Sequence, residues 1–316
     1  MIALSGKTAA IARLIGCAAV VASLGFVGIQ LWRHAPWRLA GTHLETLAAA
    51  VLGGALLYGV AGLLLSSAWY QLLAGGATAP ARCHHAVYGR TQIAKYLPGN
   101  VFHLVGRQLA GRRLGHGQAR LALASLLEVL LLALIAGALS LPLLWRWLDP
   151  GLLWAAALTA PALVLIAVRW GRRHDLACGL VTGAAGGCGR AARRLLAAAA
   201  LYAAFFLVVA AILWALVRSV SEPGGVSIGL AGSVPVVALA WLVGFATPGS
   251  SAGIGVREAM LIAALEGTLG APAGTLVALA LRFVTVAGDV VFFLLGVRLG
   301  LPGARPHPIT AGDHLA

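Results

Sequence analysis

Charged residues are scarce in this chain of 316 residues, where Asp, Glu, Lys and Arg together make up 10% of the sequence. An ordinary soluble domain contains about 25% of charged residues and roughly 45–50% of apolar ones. This chain is 60% apolar. The composition therefore excludes a soluble enzyme and is typical of a protein that lies within a membrane.

Acidic residues are the rarer charged type, with nine against 23 Lys and Arg, and the formal net charge is +14. The basic residues fall in clusters between long apolar runs, whereas a nucleic-acid-binding protein places them along one polar face. The pattern predicts a membrane lipid as partner and no nucleic acid. Clusters of this kind also attract the anionic headgroups of a membrane surface.

Cysteine is infrequent as well, and the four cysteines form no Cys-x-x-Cys pair. This spacing predicts neither a disulfide framework nor a zinc site. The sequence contains no Asp-x-Asp or Asp-x-x-Asp pattern, although a transferase that works in a membrane normally needs a metal-binding carboxylate pair or a general base. We therefore expect no metal, no cofactor and no enzymatic activity.

Apolar runs long enough to cross a membrane recur along the whole chain. A helix needs about 20 mostly apolar residues for one crossing, and seven runs qualify: 10–31, 47–74, 121–144, 151–168, 195–217, 227–246 and 273–299. The segment 248–266 is apolar but interrupted, so it is an eighth crossing or a re-entrant segment. We expect a polytopic all-α bundle of about eight transmembrane segments, one domain over 1–300, followed by a short polar tail over 301–316.

The basic clusters also predict the orientation of the bundle, because cytoplasmic loops are enriched in Lys and Arg. The connections 75–120 and 169–194 hold most of the Arg residues, and the other connections hold few. We therefore expect both basic connections, and with an even number of crossings both termini, to be cytoplasmic. The abundance of Ala, Gly and Arg points to a bacterial protein.

Two segments carry a Pro-Gly break. In the first, residues 91–97 are expected to form a short helix that Pro98 and Gly99 end, with another short helix from residue 100. In the second, Pro248 and Gly249 are followed by Gly253 and Gly255. The stretches 98–107 and 248–257 share three of ten residues, which predicts an internal repeat, parallel or inverted. Paired interruptions of this kind point to a substrate site in transporters.

Broken helices present groups that suit an anion. The N-terminus of a half-helix leaves backbone N–H groups without partners, and these groups attract phosphate. Arg107 and Arg257 lie within the two broken segments, and guanidinium binds phosphate in a two-pronged geometry. Asn100 and Ser250 are suitable further donors. The two breaks are therefore expected to face a common polar cavity.

Several charges lie inside the apolar runs, where each one costs at least ~2.5–3.5 kcal/mol. Glu128, Glu258, Arg282 and Asp289 are of this kind. Arg282 and Asp289 lie two turns apart on one helix face and are expected to flank one cavity. Three interpretations stay open for these charges, namely structural pairing with neighbouring helices, charge compensation around a substrate, and lipid-facing side chains that reach toward the membrane surface. His103 is predicted as a polar wall residue and not as a metal ligand.

These residues resemble a known family. The block from Lys95 and Tyr96 through Asn100, followed by His103, Arg107 and then Glu128, resembles the transmembrane region of the lysylphosphatidylglycerol synthetase family of flippase-like proteins. The block from Pro248 to Glu258 is similar to the second pattern of that family. Because the chain ends shortly after its last apolar run, it looks like a stand-alone member without the aminoacyltransferase region.

The resemblance implies a bacterial inner-membrane domain that moves an aminoacylated phospholipid, or a related lipid or lipid-linked sugar, between leaflets. It places headgroup-binding residues at Lys95, Asn100, Arg107, Glu128, Arg257 and Glu258. With the residues argued above, the predicted substrate site comprises Lys95, Tyr96, Asn100, His103, Arg107, Glu128, Ser250, Arg257, Glu258, Arg282 and Asp289.

Two other functions stay open from the sequence. One is a membrane scaffold that holds a cytoplasmic enzyme through the basic loops. The other is an integral-membrane transferase that acts on a polyprenyl-linked substrate. A homo-oligomer is compatible with each of the three functions.

Overall fold

The computed structural model describes residues 21–22, 25–33, 41, 43–73, 79–97, 101–144, 188–221, 227–247 and 251–300. Within these ranges the chain is helical and contains no strand. The prediction of an all-helical fold is thereby confirmed for the described residues.

Eight helices and two short 3₁₀ turns make up the described structure after residue 43. The helices are α1 (Leu44–Leu73), α2 (Ala81–Gln92), α3 (Phe102–Arg112), α4 (Gln118–Leu144), α5 (Cys188–Val220), α6 (Leu230–Ala246), α7 (Val256–Leu269) and α8 (Ala271–Arg298). The first 3₁₀ turn, Ile93–Tyr96, follows α2 directly, and the second, Ser251–Gly253, precedes α7.

Four of these helices, α1, α4, α5 and α8, are long and apolar enough to cross a membrane. They coincide with the runs 47–74, 121–144, 195–217 and 273–299, so those four predictions of long apolar helices are confirmed. Helix α6 is apolar but has 17 residues, which is short for one crossing. The run 151–168 and most of the run 10–31 lie outside the described residues.

Helix α7 is the described part of the interrupted segment 248–266. Its 14 residues measure about 21 Å, less than the ~30 Å thickness of the hydrocarbon layer. The helix is therefore too short to cross the membrane alone.

Glycines set the close contact between α1 and α8. A Cβ atom on Gly59 would lie 2.6 Å from a Val291 methyl carbon, and one on Gly288 would lie 2.7 Å from the Tyr58 ring. Small residues at such crossings let two helix backbones approach closely. Helix α1 also packs against α5, so it contacts both α5 and α8.

Helix α2 differs from the prediction made for this region, because it begins at Ala81 and not at residue 91. Its polar composition hides it in the sequence, and packing against α8 is what buries it. The guanidinium of Arg90 donates to the carbonyl oxygens of Gly296 and Val297, each at 3.1 Å. These carbonyls belong to the last turn of α8, where carbonyl groups have no N–H partner within the helix. The contact fixes α2, and the 3₁₀ turn after it, against α8.

The second 3₁₀ turn reverses the chain sharply before α7. Ala252, Gly253 and Gly255 all have positive φ angles, of 50°, 73° and 82°, in the left-handed region that suits glycine. The Glu258 carboxylate accepts a hydrogen bond from the Gly255 N–H at 2.5 Å, which satisfies one free donor at the start of α7. This interaction fixes where α7 begins and hence where Arg257 lies.

The described residues beside the two Pro-Gly breaks are arranged differently. In the first the 3₁₀ turn precedes residues 98 and 99, and in the second it follows residues 248 and 249. Arg107 is the sixth residue of α3, whereas Arg257 is the second residue of α7. Equal spacing in the sequence therefore places the two arginines at different depths in their helices.

Candidate functional site

Two adjoining cavities lie inside the bundle, and one of them is lined by residues of both 3₁₀ turns, which contact each other. The Arg107 cavity, between α2, α3 and α4, has a volume of about 80 Å³. The Arg282 cavity, between α7, α8 and α5, has a volume of about 50 Å³. Each has room for a few water molecules, and both are smaller than a typical small-molecule site of about 300–1,000 Å³. Tyr58, Phe205, Trp241 and Arg257 line both cavities.

A buried ion pair forms one wall of the Arg107 cavity. The Nη1 atom of Arg107 lies 2.7 Å from each carboxylate oxygen of Glu128, and Nη2 donates to Gln92 Oε1 at 2.5 Å. The Tyr88 hydroxyl donates to Glu128 at 2.6 Å, and the guanidinium lies 3.5 Å from the centre of the Tyr88 ring. Arg107 is only 1% exposed. The pairing left open by the sequence is therefore present for Glu128.

A second ion pair connects the first 3₁₀ turn to α8. Lys95 Nζ lies 2.9 and 2.7 Å from the two oxygens of Asp289, and the Tyr96 hydroxyl donates to Asp289 Oδ2 at 2.5 Å. Asp289 is 2% exposed. Because its oxygens are already occupied, Asp289 anchors the turn.

Arg282 connects α8 to the second 3₁₀ turn. Its Nε atom lies 3.4 Å from Glu258 Oε1, and Nη1 donates to the carbonyl oxygen of Ala252 at 3.2 Å. Glu258 accepts both this interaction and the bond from the Gly255 N–H. Glu258 therefore holds the geometry of the turn. Arg282 and Asp289, two turns apart on α8, each hold one of the two 3₁₀ turns.

Arg257 differs from the other cations of the site. Within the described ranges its guanidinium forms no ion pair, and its buried Nε atom has no hydrogen-bond partner. The guanidinium lies 5.8 Å from the centre of the Trp241 ring. Its side chain packs against Gly244 and Gly253, where any Cβ atom would overlap with it. Arg257 is thus a cation that lines both cavities and forms no ion pair with any carboxylate of the described residues.

His103 contributes a second unpartnered group to the Arg107 cavity. Its Nδ1 atom is buried and has no hydrogen-bond partner in the described structure. A ring nitrogen of this kind can accept or donate one hydrogen bond. Among the described residues, no group of three His, Cys, Asp or Glu side chains is arranged to hold a metal ion.

The charges of the site do not cancel. The described residues in and beside the two cavities include four cations, Lys95, Arg107, Arg257 and Arg282, and three carboxylates, Glu128, Glu258 and Asp289. Each carboxylate pairs with one cation, which leaves a single positive charge. The site is therefore suited to an anion.

The structure brings nine of the predicted site residues together around the two cavities: Lys95, Tyr96, His103, Arg107, Glu128, Arg257, Glu258, Arg282 and Asp289. Gly253 ends the second 3₁₀ turn and Gly255 precedes α7, and both have positive φ angles. The remaining predicted residues lie outside the described residues: Asn100 and Ser250, and the breaks Pro98, Gly99, Pro248 and Gly249.

The residues that orient Arg107 and Glu128 were not predicted from the sequence. Tyr88 and Gln92 lie four residues apart on α2 and so share one helix face, from which each bonds to the ion pair. The four-residue spacing indicates a shared helix face only if residues 81–92 are predicted to form a helix. Trp241, on α6, was missed because its contact with Arg257 joins two helices.

No protein-family model matches this chain, and none of the curated proteins is similar enough to match it. The resemblance to the lysylphosphatidylglycerol synthetase family therefore stays a prediction.

Proposed function

We propose that this protein is a membrane lipid transporter, which moves a phospholipid or a lipid-linked headgroup between leaflets through the two adjoining cavities. The observation that carries the proposal is Arg257, a cation that lines both cavities and lacks a carboxylate partner in the described structure. An anionic headgroup would supply the missing charge. The acyl chains would stay in the bilayer while the headgroup moves.

The energetic reason for such a path is the cost of a charge in hydrocarbon. A charge at the bilayer centre costs at least ~2.5–3.5 kcal/mol, and a headgroup phosphate carries such a charge between the leaflets. Fixed hydrogen-bond donors and a preformed cation lower this cost without any covalent chemistry. The cavities supply both.

In this proposal, the segments around the two Pro-Gly breaks are re-entrant. Short helices and 3₁₀ turns inside an apolar bundle are tolerated where they line a polar cavity, and α2, α3 and α7 are short helices beside such cavities. The finer topology of about eight transmembrane segments, cytoplasmic termini and a location in a bacterial inner membrane belongs to the same proposal.

The test is lipid exchange in liposomes that contain the purified protein. A fluorescent phosphatidylglycerol is placed in both leaflets, and dithionite quenches the outer leaflet only. We expect exchange with the native protein, and its loss with Arg257→Ala, because the cavities then lose their unneutralised charge. Arg112→Ala is the matched control, since Arg112 is an exposed arginine on α3 that does not line either cavity.

Exchange by Arg257→Ala at the native rate would contradict the role of Arg257. A native protein that exchanges no lipid and copurifies with a cytoplasmic enzyme would instead support the scaffold function.

A further inference from the structure

We propose that the site selects a lipid whose headgroup carries one net negative charge and no cationic group. This inference rests on the proposed function and deepens it by naming the substrate class. The chemistry is that of a phosphodiester with uncharged, hydrogen-bonding substituents. Seven charged side chains lie in or beside the cavities, and the way they pair determines which headgroup charge the site can hold.

No carboxylate of the described site is free to receive a cation. Glu128 accepts from Arg107 and Tyr88, and Asp289 accepts from Lys95 and Tyr96. Glu258 is engaged by Arg282 and by the N–H group at the start of α7. A headgroup ammonium would have to displace one of these partners. Breaking a buried ion pair is strongly unfavourable, because it leaves a buried charge without compensation.

The single unneutralised cation also limits the negative charge that the site can take. One phosphodiester neutralises Arg257 and leaves the cavities without net charge. A headgroup with two negative charges would leave one of them uncompensated beside buried side chains, where unpaired charges are costly. The residues 98–100 and 248–250, next to the two turns, carry no ionisable side chain and so add no charge to this balance.

The unpartnered Nδ1 atom of His103 gives the site one further means of discrimination. It is buried and lines the Arg107 cavity, which Arg257 also lines. A hydroxyl group on the headgroup can donate to a neutral ring nitrogen. The phosphate would therefore bind at Arg257, with the uncharged part of the headgroup directed toward His103. This differs from the aminoacylated phospholipid that the family resemblance implies.

The experiment compares four tail-labelled lipids in liposomes with the native protein at pH 8. The lipids are phosphatidylglycerol, with one negative charge; phosphatidylethanolamine, which is zwitterionic; lysylphosphatidylglycerol, with a net positive charge; and phosphatidic acid, with more than one negative charge. We expect phosphatidylglycerol to exchange at least about tenfold faster than each of the others, corresponding to ~1.4 kcal/mol. Equal rates for all four lipids would overturn the inference and leave the proposed function standing. The absence of exchange for every lipid would refute the proposed function itself.

Two variants locate the selectivity at Arg257. Arg257→Gln removes the unneutralised charge and should slow exchange strongly, and the exchange that remains should prefer phosphatidylglycerol over phosphatidylethanolamine by about twofold or less. Arg257→Lys keeps the charge and should keep the preference. An unchanged preference in Arg257→Gln would overturn the assignment to Arg257. If Arg257→Gln moves no lipid, the four-lipid comparison with the native protein decides the inference alone.

A final experiment distinguishes a lipid substrate from a soluble anion with the same headgroup chemistry. Liposomes are given radiolabelled glycerophosphoglycerol, which has the phosphodiester headgroup without acyl chains. We expect no uptake above that of protein-free liposomes. Uptake of the soluble compound without exchange of phosphatidylglycerol would show that the site serves a soluble phosphodiester and would overturn the lipid assignment.

Discussion

Replacing Glu128 by Gln tests whether the Arg107–Glu128 pair holds the bundle together. The Glu128 carboxylate accepts two short contacts from Arg107 and one from Tyr88, and both charged side chains are buried. Glutamine keeps an acceptor for Tyr88 but removes the negative charge. Arg107 is then left buried and uncompensated, which costs about 3–5 kcal/mol. The ratio of folded to unfolded protein should fall at least about a hundredfold.

The assay is reversible unfolding in mixed micelles, which gives the free energy of unfolding for each variant. Glu266→Gln is the matched control, since Glu266 is exposed on α7 and surface substitutions change stability by about 0.5 kcal/mol or less. The double variant Glu128→Gln with Arg107→Met should be more stable than Glu128→Gln alone, because no buried charge remains unpaired.

A free energy of unfolding for Glu128→Gln within about 1 kcal/mol of the native value would refute this reasoning. In that case Glu128 would act on the substrate and not on stability. A double variant less stable than Glu128→Gln would also refute it.

Three further predictions concern packing, charge and pH. Gly288→Ala should lower the free energy of unfolding by about 1–3 kcal/mol, because its Cβ would lie 2.7 Å from the Tyr58 ring. The control Gly53→Ala, at a position with open space around it, should leave the free energy of unfolding unchanged or raise it. Equal effects of the two substitutions would contradict the prediction. Asp289→Asn gives the cavities a second unneutralised cation, so the exchange of phosphatidic acid relative to phosphatidylglycerol should rise; an unchanged ratio would contradict the charge argument. His116, in the loop after α3, has a pKa lowered from 6.5 to about 4 by burial and by nearby His84 and Arg120. As the pH decreases, the unfolded state therefore binds this proton first, and the free energy of unfolding should fall between pH 6.5 and pH 4. The His116→Gln variant should show a smaller fall over this range. Parallel plots of the free energy of unfolding against pH for the native protein and the variant would contradict the prediction.

The long apolar helices were predictable because length and composition alone determine whether a segment can cross a membrane. The runs 47–74 and 273–299 agree with α1 and α8 to within a few residues. Helix α2 was not predicted, since a polar segment of 12 residues gives no membrane signal and its burial depends on contacts with α8. Helix propensity is a weak guide where tertiary packing decides.

The presence of charges at the site was predictable, but their partners were not. A carboxylate inside an apolar run implies some compensating group, and this argument selected Glu128 and Asp289. The partner of Asp289 lies 194 residues away along the chain, so only the folded arrangement identifies Lys95. For the same reason Arg107 and Arg257 were predicted from the sequence as equivalent phosphate ligands. Of these two arginines, Arg107 pairs with Glu128, and Arg257 has no ion-pair partner within the described structure.

The attachment of both 3₁₀ turns to one helix has a mechanical consequence. Arg282 and Asp289 are seven residues apart on α8, which separates the two attachment points by about 10.5 Å along the axis. A rotation or a sliding motion of α8 would move both turns at once, so the two turns could not shift independently of each other. In the proposed function, such a linkage would make the two cavities change shape together.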